Sequence, residues 1–269
     1  MKLKSKVRHF LLVAYYFLGR KVSVSMRGVP LTRVLVFHHL DKPRRFDKLI
    51  YKLKKDYNLI SFDNYLSGEI KKDRVNLILA FDDGYQSWAV SGAPIFSKHG
   101  LKPLFFVNSD YVDLAGADGY DYCRDNINTW AEESLTWCEL RRLKELGGSV
   151  GGHTKGHTDL TDAKNNSIIS SCVALDKQNI DAHLGQDTQI FAYPYGRWDE
   201  GSVKAVANAG YKYAFTSDSG YLEDSVSDLT LLRTNVGMRT YFVARAYIEG
   251  CAEILTSDMA KLRSLIRAA

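Results

Sequence analysis

Apolar and polar positions along this chain fall into two alternating textures. Short apolar, β-favouring runs occur at 34–37, 77–81, 104–107, 189–192 and 213–216, each the length of a strand with cover on both faces. Between them, the stretches 46–55, 137–146, 168–183 and 201–208 repeat apolar residues at helical spacing. Several helical segments close on a glycine, namely Gly100 after Lys98 and His99, Gly147 after Leu146, and Gly210 after Ala209, each suited to a left-handed C-terminal cap. This alternation predicts an α/β fold of parallel strands joined by short crossovers. No internal repeat, proline-rich linker or low-complexity block interrupts it. Residues 31–269 therefore read as a single domain, closing in a helix over 256–269 with Met259, Leu262 and Ile266 on its apolar face.

One segment breaks the alternation. Residues 108–134 are polar and dotted with Tyr111, Tyr120, Tyr122, Trp130, Gly116 and Gly119. A structureless stretch of this length inside a compact domain is usually a functional loop or lid. A mobile wall of a cleft is expected here, with a cover over the domain rim as the alternative.

Composition changes the picture mainly at the N-terminus. Apolar residues make up 45% of the chain and charged residues 25%, as in ordinary globular domains. The net charge of +5 is unevenly divided: residues 1–30 carry Lys2, Lys4, Lys6, Arg8, Arg20, Lys21 and Arg27 and no acid. The remainder holds 29 basic residues against 31 acidic ones, which excludes a basic nucleic-acid surface on the body. The apolar run 10–18 is too short to cross a bilayer, which takes about 20 residues, and no small-residue cleavage site follows it. Residues 1–30 thus form a basic amphipathic segment, either packed on the outside of the body or lying on an anionic membrane surface. Cys123, Cys138, Cys172 and Cys251 sit at no metal-ligand spacing, and a chain of this size needs no disulfide staples, so free thiols are expected. Reduced thiols without a leader point to the cytoplasm, peripheral to the inner membrane face if the basic segment binds lipid.

Three motifs carry chemistry. The strand 77–81 runs into Asp82, Asp83 and Gly84, and adjacent acids at the carboxyl end of a parallel strand lie where α/β folds build sites, although Asp-Asp-Gly is also a common turn. A second strand leads to His153-Thr154-Lys155-Gly156-His157. Gly151, Gly152 and Gly156 disfavour a continuous helix there, so a tight turn would bring the two imidazoles together, as a metal requires. In the third, Phe191-Ala192-Tyr193 ends at Pro194-Tyr195-Gly196-Arg197, where proline stops the strand and frees backbone N–H groups able to hold an oxyanion.

In this order the three motifs resemble those of the polysaccharide deacetylases with a NodB homology domain, carbohydrate esterase family four. The similarity covers about residues 31–235, including the lead-ins Val34-Leu35-Val36-Phe37-His38 and Leu135-Thr136-Trp137-Cys138-Glu139-Leu140. It implies a distorted (β/α) barrel with an incomplete strand set, and hydrolysis of the N-acyl group of a sugar in a polysaccharide, oligosaccharide or lipid-linked glycan. It further implies a divalent metal, zinc above its neighbours, on Asp83, His153 and His157, with Asp82 as general base and the backbone N–H of Tyr195 as oxyanion donor. Two imidazoles and one carboxylate leave an open coordination position, the catalytic pattern for zinc. Tyr193, Arg197, Tyr120 and Trp130 are candidate substrate contacts, the aromatic ones by stacking on sugar rings.

The chain departs from that pattern twice. Ala192 and Tyr193 stand where many members carry an arginine that orients the base, leaving Arg197 or Arg233 to replace it. The late histidine that usually acts as general acid is absent, the corresponding stretch reading Leu231-Leu232-Arg233-Thr234-Asn235. Elimination among the histidines then points to His38, just beyond the first strand, with His39 and solvent as alternatives. An inactive glycan-binding barrel of the same fold would have been expected to lose one of the ligands or Asp82. A phosphoryl hydrolase using Asp82 as nucleophile leaves His153 and His157 unexplained, and no P-loop is present.

Overall fold

The computed structural model describes residues 2–19, 27–130, 132–161 and 166–268. Its centre is one sheet of parallel strands: β1 (Thr32–Phe37), β2 (Asn58–Leu59), β3 (Asn76–Asp83), β4 (Leu104–Val107), β5 (Ser149–Gly152), β6 (Ile190–Ala192), β7 (Tyr213–Phe215) and β8 (Arg233–Asn235). The order is β7-β6-β5-β4-β3-β1-β8, with β2 paired to the start of β3. The two ends of this path approach each other. Phe215 bridges Leu231 just ahead of β8, and Thr216 N–H donates to the Leu231 carbonyl. The sheet is therefore a nearly closed, distorted (β/α) barrel with one seam.

Side-chain alternation along each strand separates two layers. Leu77, Leu79 and Phe81 of β3 pack with Phe37, Phe96 and Phe105 beneath the surrounding helices. Ile78 and Ala80 face the other way and meet Val34, Leu104, Phe106, Ile190, Ala192 and Phe215 in the barrel interior. Each such large apolar side chain contributes about 1.5–3 kcal/mol on full burial.

Helices cover the four periodic stretches to within a few residues at either end, and others lie outside them. They are α1 (Lys2–Phe17), α2 (Pro43–Asp56), α3 (Phe62–Leu66), α4 (Ala93–His99), α5 (Gly116–Tyr122), α6 (Trp137–Glu145), α7 (Asn166–Leu184), α8 (Glu200–Asn208), α9 (Tyr241–Ile248) and α10 (Cys251–Ala268). Thr136 and Glu139 form a capping box on α6, and Asp199 and Ser202 form one on α8. Gly100, Gly147 and Gly210 take φ of 65°, 93° and 91°, the left-handed stops expected of them.

Residues 108–134 are not the structureless lid that their polarity suggests. They contain α5 and a π-helical turn, Cys123–Ile127. Tyr111 is fully buried, stacks on Tyr122 at 5.0 Å and donates its hydroxyl to the Glu132 carbonyl. Tyrosines serve as core here because a buried ring needs only one acceptor for its hydroxyl.

The basic N-terminal segment includes α1, which packs on α9 and α10. Leu12 is fully buried, the Tyr15 hydroxyl reaches Asp258 at 3.4 Å, and the Arg245 guanidinium lies 5.0 Å from the Tyr16 ring centre. Val7, Phe10 and Phe17 stay exposed on the helix, as do Lys6 and Arg8, and Leu18 is exposed just beyond it. Arg20 and Lys21, and the side chains of Leu262 and Ile266, lie outside the described residues. Among the described residues, no helix is long and apolar enough to cross a membrane, and all four cysteines are free.

Candidate active site

The alternation along β3 places Asp82 on the inner face with Ile78 and Ala80, at the carboxyl mouth of the barrel. There its Oδ1 accepts from Arg233 Nη1 at 2.8 Å, while Arg233 Nε donates to the Thr216 carbonyl at 2.7 Å. Burial alone would push the Asp82 carboxyl up, but the Arg233 guanidinium, with His153 and His38 nearby, outweighs it and holds the group below the usual carboxylate range. Asp82 is thus ionised at neutral pH. Of the two arginines available to orient it, Arg233 does so; Arg197 instead pairs with Asp159 at 2.6 Å at the surface.

Asp83 leaves the strand with a φ of 93°. Its Oδ2 accepts from the Tyr85 hydroxyl at 2.8 Å, and its Oδ1 lies 3.6 Å from His153 Nε2 and 3.5 Å from His157 Nε2. The ring orientations have a clear cause. His153 Nδ1 is 2.6 Å from the Ala192 carbonyl and His157 Nδ1 is 3.0 Å from the Asn126 carbonyl. A carbonyl can only accept, so both protons reside on Nδ1 and both Nε2 lone pairs face Asp83. Burial lowers His153 to about 4, partly offset by Asp82, which keeps the ring neutral as a metal ligand must be. The three ligand atoms lie within 4.8 Å of one another, a donor set that fits a divalent cation.

Backbone strain concentrates at this site. Six non-glycine residues have positive φ among the described residues, and Asp83, Thr154, His157 and Tyr195 are four of them. Such conformations cost about 1–3 kcal/mol each and persist where surrounding contacts fix them. One such contact is Thr154 Oγ1, which accepts from Thr158 N–H at 2.8 Å and closes the turn between the two histidines.

A cavity of about 530 Å³ opens over these groups, lined by His38, His39, Asp82, Asp83, His153, His157, Tyr195, Asn235 and Met238 among others. The structure thereby brings together Asp82, Asp83, His153, His157, His38 and Tyr195. Four other candidates lie outside the lining. Tyr193, the residue after β6, is fully buried beside Phe191 in the outer core, with its hydroxyl donating to the Leu229 carbonyl at 3.0 Å; it has no surface to offer a substrate, which corrects the expectation. Tyr120 bonds Glu133, Trp130 is 83% exposed, and Arg197 is committed to Asp159. Two supporting groups carried no motif: Tyr85, and the Asn126 carbonyl, which also accepts the Tyr195 hydroxyl at 3.0 Å. An aromatic two residues beyond Asp83 was a readable hint for the first, but nothing local marks a backbone carbonyl.

A parallel barrel with paired acids and a histidine pair at its carboxyl mouth gathers, in one cavity, a donor set for a divalent cation beside an ionised carboxylate. The model of the polysaccharide deacetylase family matches residues 69–214, more than half of the sequence, and the chain belongs to that family. YxkH of Bacillus subtilis, provisionally named a polysaccharide deacetylase, is 25% identical over 155 residues, covering 58% of this chain and 49% of that protein. The chain therefore spans about half the length of the curated relative it matches. Among solved structures, IcaB from Ammonifex degensii superposes with a TM-score of 0.67 at 20% identity, over 82% of this chain and 97% of that one. The Streptococcus pyogenes deacetylase PplD, solved with acetate, gives a TM-score of 0.64 at 22% identity, over 77% and 93% of the two chains. These structures share the fold. His38 and Arg233 both lie outside the family-matched residues.

Proposed function

We propose that this protein is a metal-dependent hydrolase that removes the N-acyl group, most simply acetyl, from a sugar of a glycan. The observation that carries this reading is the convergence of His153 Nε2, His157 Nε2 and Asp83 Oδ1, with both imidazole tautomers fixed by backbone carbonyls. A divalent cation bound there, zinc in keeping with the donor set, would lower the pKa of water towards about 7 and polarise the acyl oxygen.

The chain's own residues supply the remaining chemistry. Asp82, kept ionised by Arg233, takes the proton from the attacking water. The Tyr195 backbone N–H, in a turn with φ of 58°, donates to the developing oxyanion, a kind of bond whose loss costs about 10²–10³-fold in rate. His38, at the end of β1 and in the cavity lining, delivers a proton to the leaving amine. The amine then departs and the acyl group leaves as a carboxylate.

A lipid-linked saccharide at an anionic membrane surface is the substrate setting that α1 supports. Its exposed Val7, Phe10 and Phe17, with Leu18 just beyond, accompany Lys6 and Arg8, and Phe17 lies 5.8 Å from Phe242 on the helix that follows the cavity-lining Gly237 and Met238. Each basic residue near such a surface contributes about 1 kcal/mol.

The deciding experiment measures acetate release from N-acetylglucosamine oligomers and from lipid-linked N-acetylated sugars, with and without a chelator. Release that the chelator abolishes and zinc restores is expected. Turnover indifferent to the chelator, or none from zinc-loaded protein on any of these substrates, would refute the reading.

A further inference from the structure

The β4–β5 ladder ends at Val107 opposite Gly152. Just beyond that pair, one carboxylate takes over the pairing. Asp176 of α7 accepts the Ser109 N–H through Oδ1 and the His153 N–H through Oδ2, each at 2.9 Å. On the carbonyl side, buried Asn108 donates its Nδ2 to the His153 carbonyl at 2.6 Å and to the Thr154 carbonyl at 3.1 Å. Both peptide groups of His153 are thus held by side chains from other elements.

The surroundings are shaped to admit this carboxylate. A Cβ at Gly152 would lie 2.8 Å from Asp176 Oδ2 and 2.2 Å from Tyr211 Oη, so any side chain there would displace the carboxylate and the phenol from the strand end. Along α7, Ile169, Val173, Asp176 and Ile180 share one buried face. An acid therefore occupies a position at which packing alone would favour an apolar side chain.

We infer that Asp176, seconded by Asn108, is a positioning residue for His153. It fixes the peptide from which the imidazole projects, so that Nε2 stays aimed between Asp83 and His157. Neither side chain belongs to the ligand set; each acts through the His153 backbone. The inference rests on the metal-binding reading above.

The test measures zinc affinity by competition with a chelating dye, alongside thermal unfolding. Wild-type protein is titrated first, and failure to bind zinc would overturn the metal reading itself. Asp176→Asn retains size but sets an amide donor against one of the two backbone donors; zinc affinity should fall by about 10–100-fold, as for other residues that orient metal ligands. Val173→Ala, a cavity on the same buried face, should lower Tm and leave zinc affinity unchanged. Wild-type affinity in Asp176→Asn, or an equal loss in Val173→Ala, would overturn the inference while the metal reading stands. Should Asp176→Asn fail to fold, Asn108→Ser tests the carbonyl side: an affinity loss of about tenfold or more supports the inference, and unchanged affinity overturns it.

Discussion

Replacing Arg233 with methionine removes the partner of Asp82 and keeps most of the side-chain volume. The pair is buried, with a contact of 2.8 Å, and at about 4 Å between charge centres an effective dielectric of about 20 gives an attraction of about 4 kcal/mol. Removing one member of a buried pair typically costs about 3–5 kcal/mol, because the other charge is left unpaired. Asp82 escapes most of that cost by taking up a proton, so its pKa should rise; at about 1.4 kcal/mol per pH unit the rise is two units or more. The acid limb of kcat/KM against pH should move up by about that amount. Stability of the metal-free protein should also change its pH dependence. In the wild type the folded pKa is depressed, so the contribution of Asp82 is fully present above the unfolded value of about 3.9 and is lost only at lower pH. In Arg233→Met the folded pKa lies above the unfolded one, so stability should fall as pH rises between the two. Urea unfolding from about pH 4 upward to neutrality reads this directly. An unmoved acid limb together with a wild-type stability profile would refute the assignment of Arg233.

The proton donor is tested by His38→Gln, which should lower kcat by about 10²–10⁴-fold with metal content intact; a near-normal rate in metal-replete protein would move the role to His39 or solvent. Leu12→Ala, at a fully buried position of α1, should cost about 2–5 kcal/mol in urea unfolding, and no loss would mean that α1 is not docked on the body. Changing Phe10 and Phe17 to Ser and Lys6 and Arg8 to Glu should abolish co-sedimentation with phosphatidylglycerol vesicles without lowering Tm. Equal wild-type binding to neutral phosphatidylcholine vesicles would reject an electrostatic membrane surface.

The parts of this molecule readable from its sequence are those set by local chemistry. Apolar runs identified the main inner strands, helical periodicity identified the helices between them, and Gly100, Gly147 and Gly210 stopped where a left-handed residue was needed. The Asp82-Asp83 and His153-His157 pairs were legible because each sits in a short motif at the carboxyl end of a strand. Other features were hidden because their partners are distant in the chain. Strand β8 was missed because three residues of mixed polarity, Arg233 to Asn235, carry no periodicity. The choice between Arg197 and Arg233 depended on which of them faces the barrel interior, and only closure of the sheet decides that. Tyr193 misled because a tyrosine beside a site motif looks like a contact, whereas strand alternation sends it outward into the core. Asp176 did leave a trace, an acid on the apolar stripe of Ile169, Val173 and Ile180, but its partners are backbone amides that no sequence motif announces.

The link between Asp82 and Arg233 spans 151 residues, from the third strand to the last. A chain growing from its N-terminus makes both acids and both histidines well before it makes Arg233. Until β8 docks against β1, the carboxylate has no guanidinium and gains by staying protonated or exposed to water. On the proposed function, a partly synthesised or C-terminally clipped chain could therefore hold the complete ligand set and still lack a base that is both buried and oriented by its guanidinium. Long-range closure of this kind is entropically late in folding, so on the proposed function the seam would separate a barrel that holds only the ligand set from one whose base is in place.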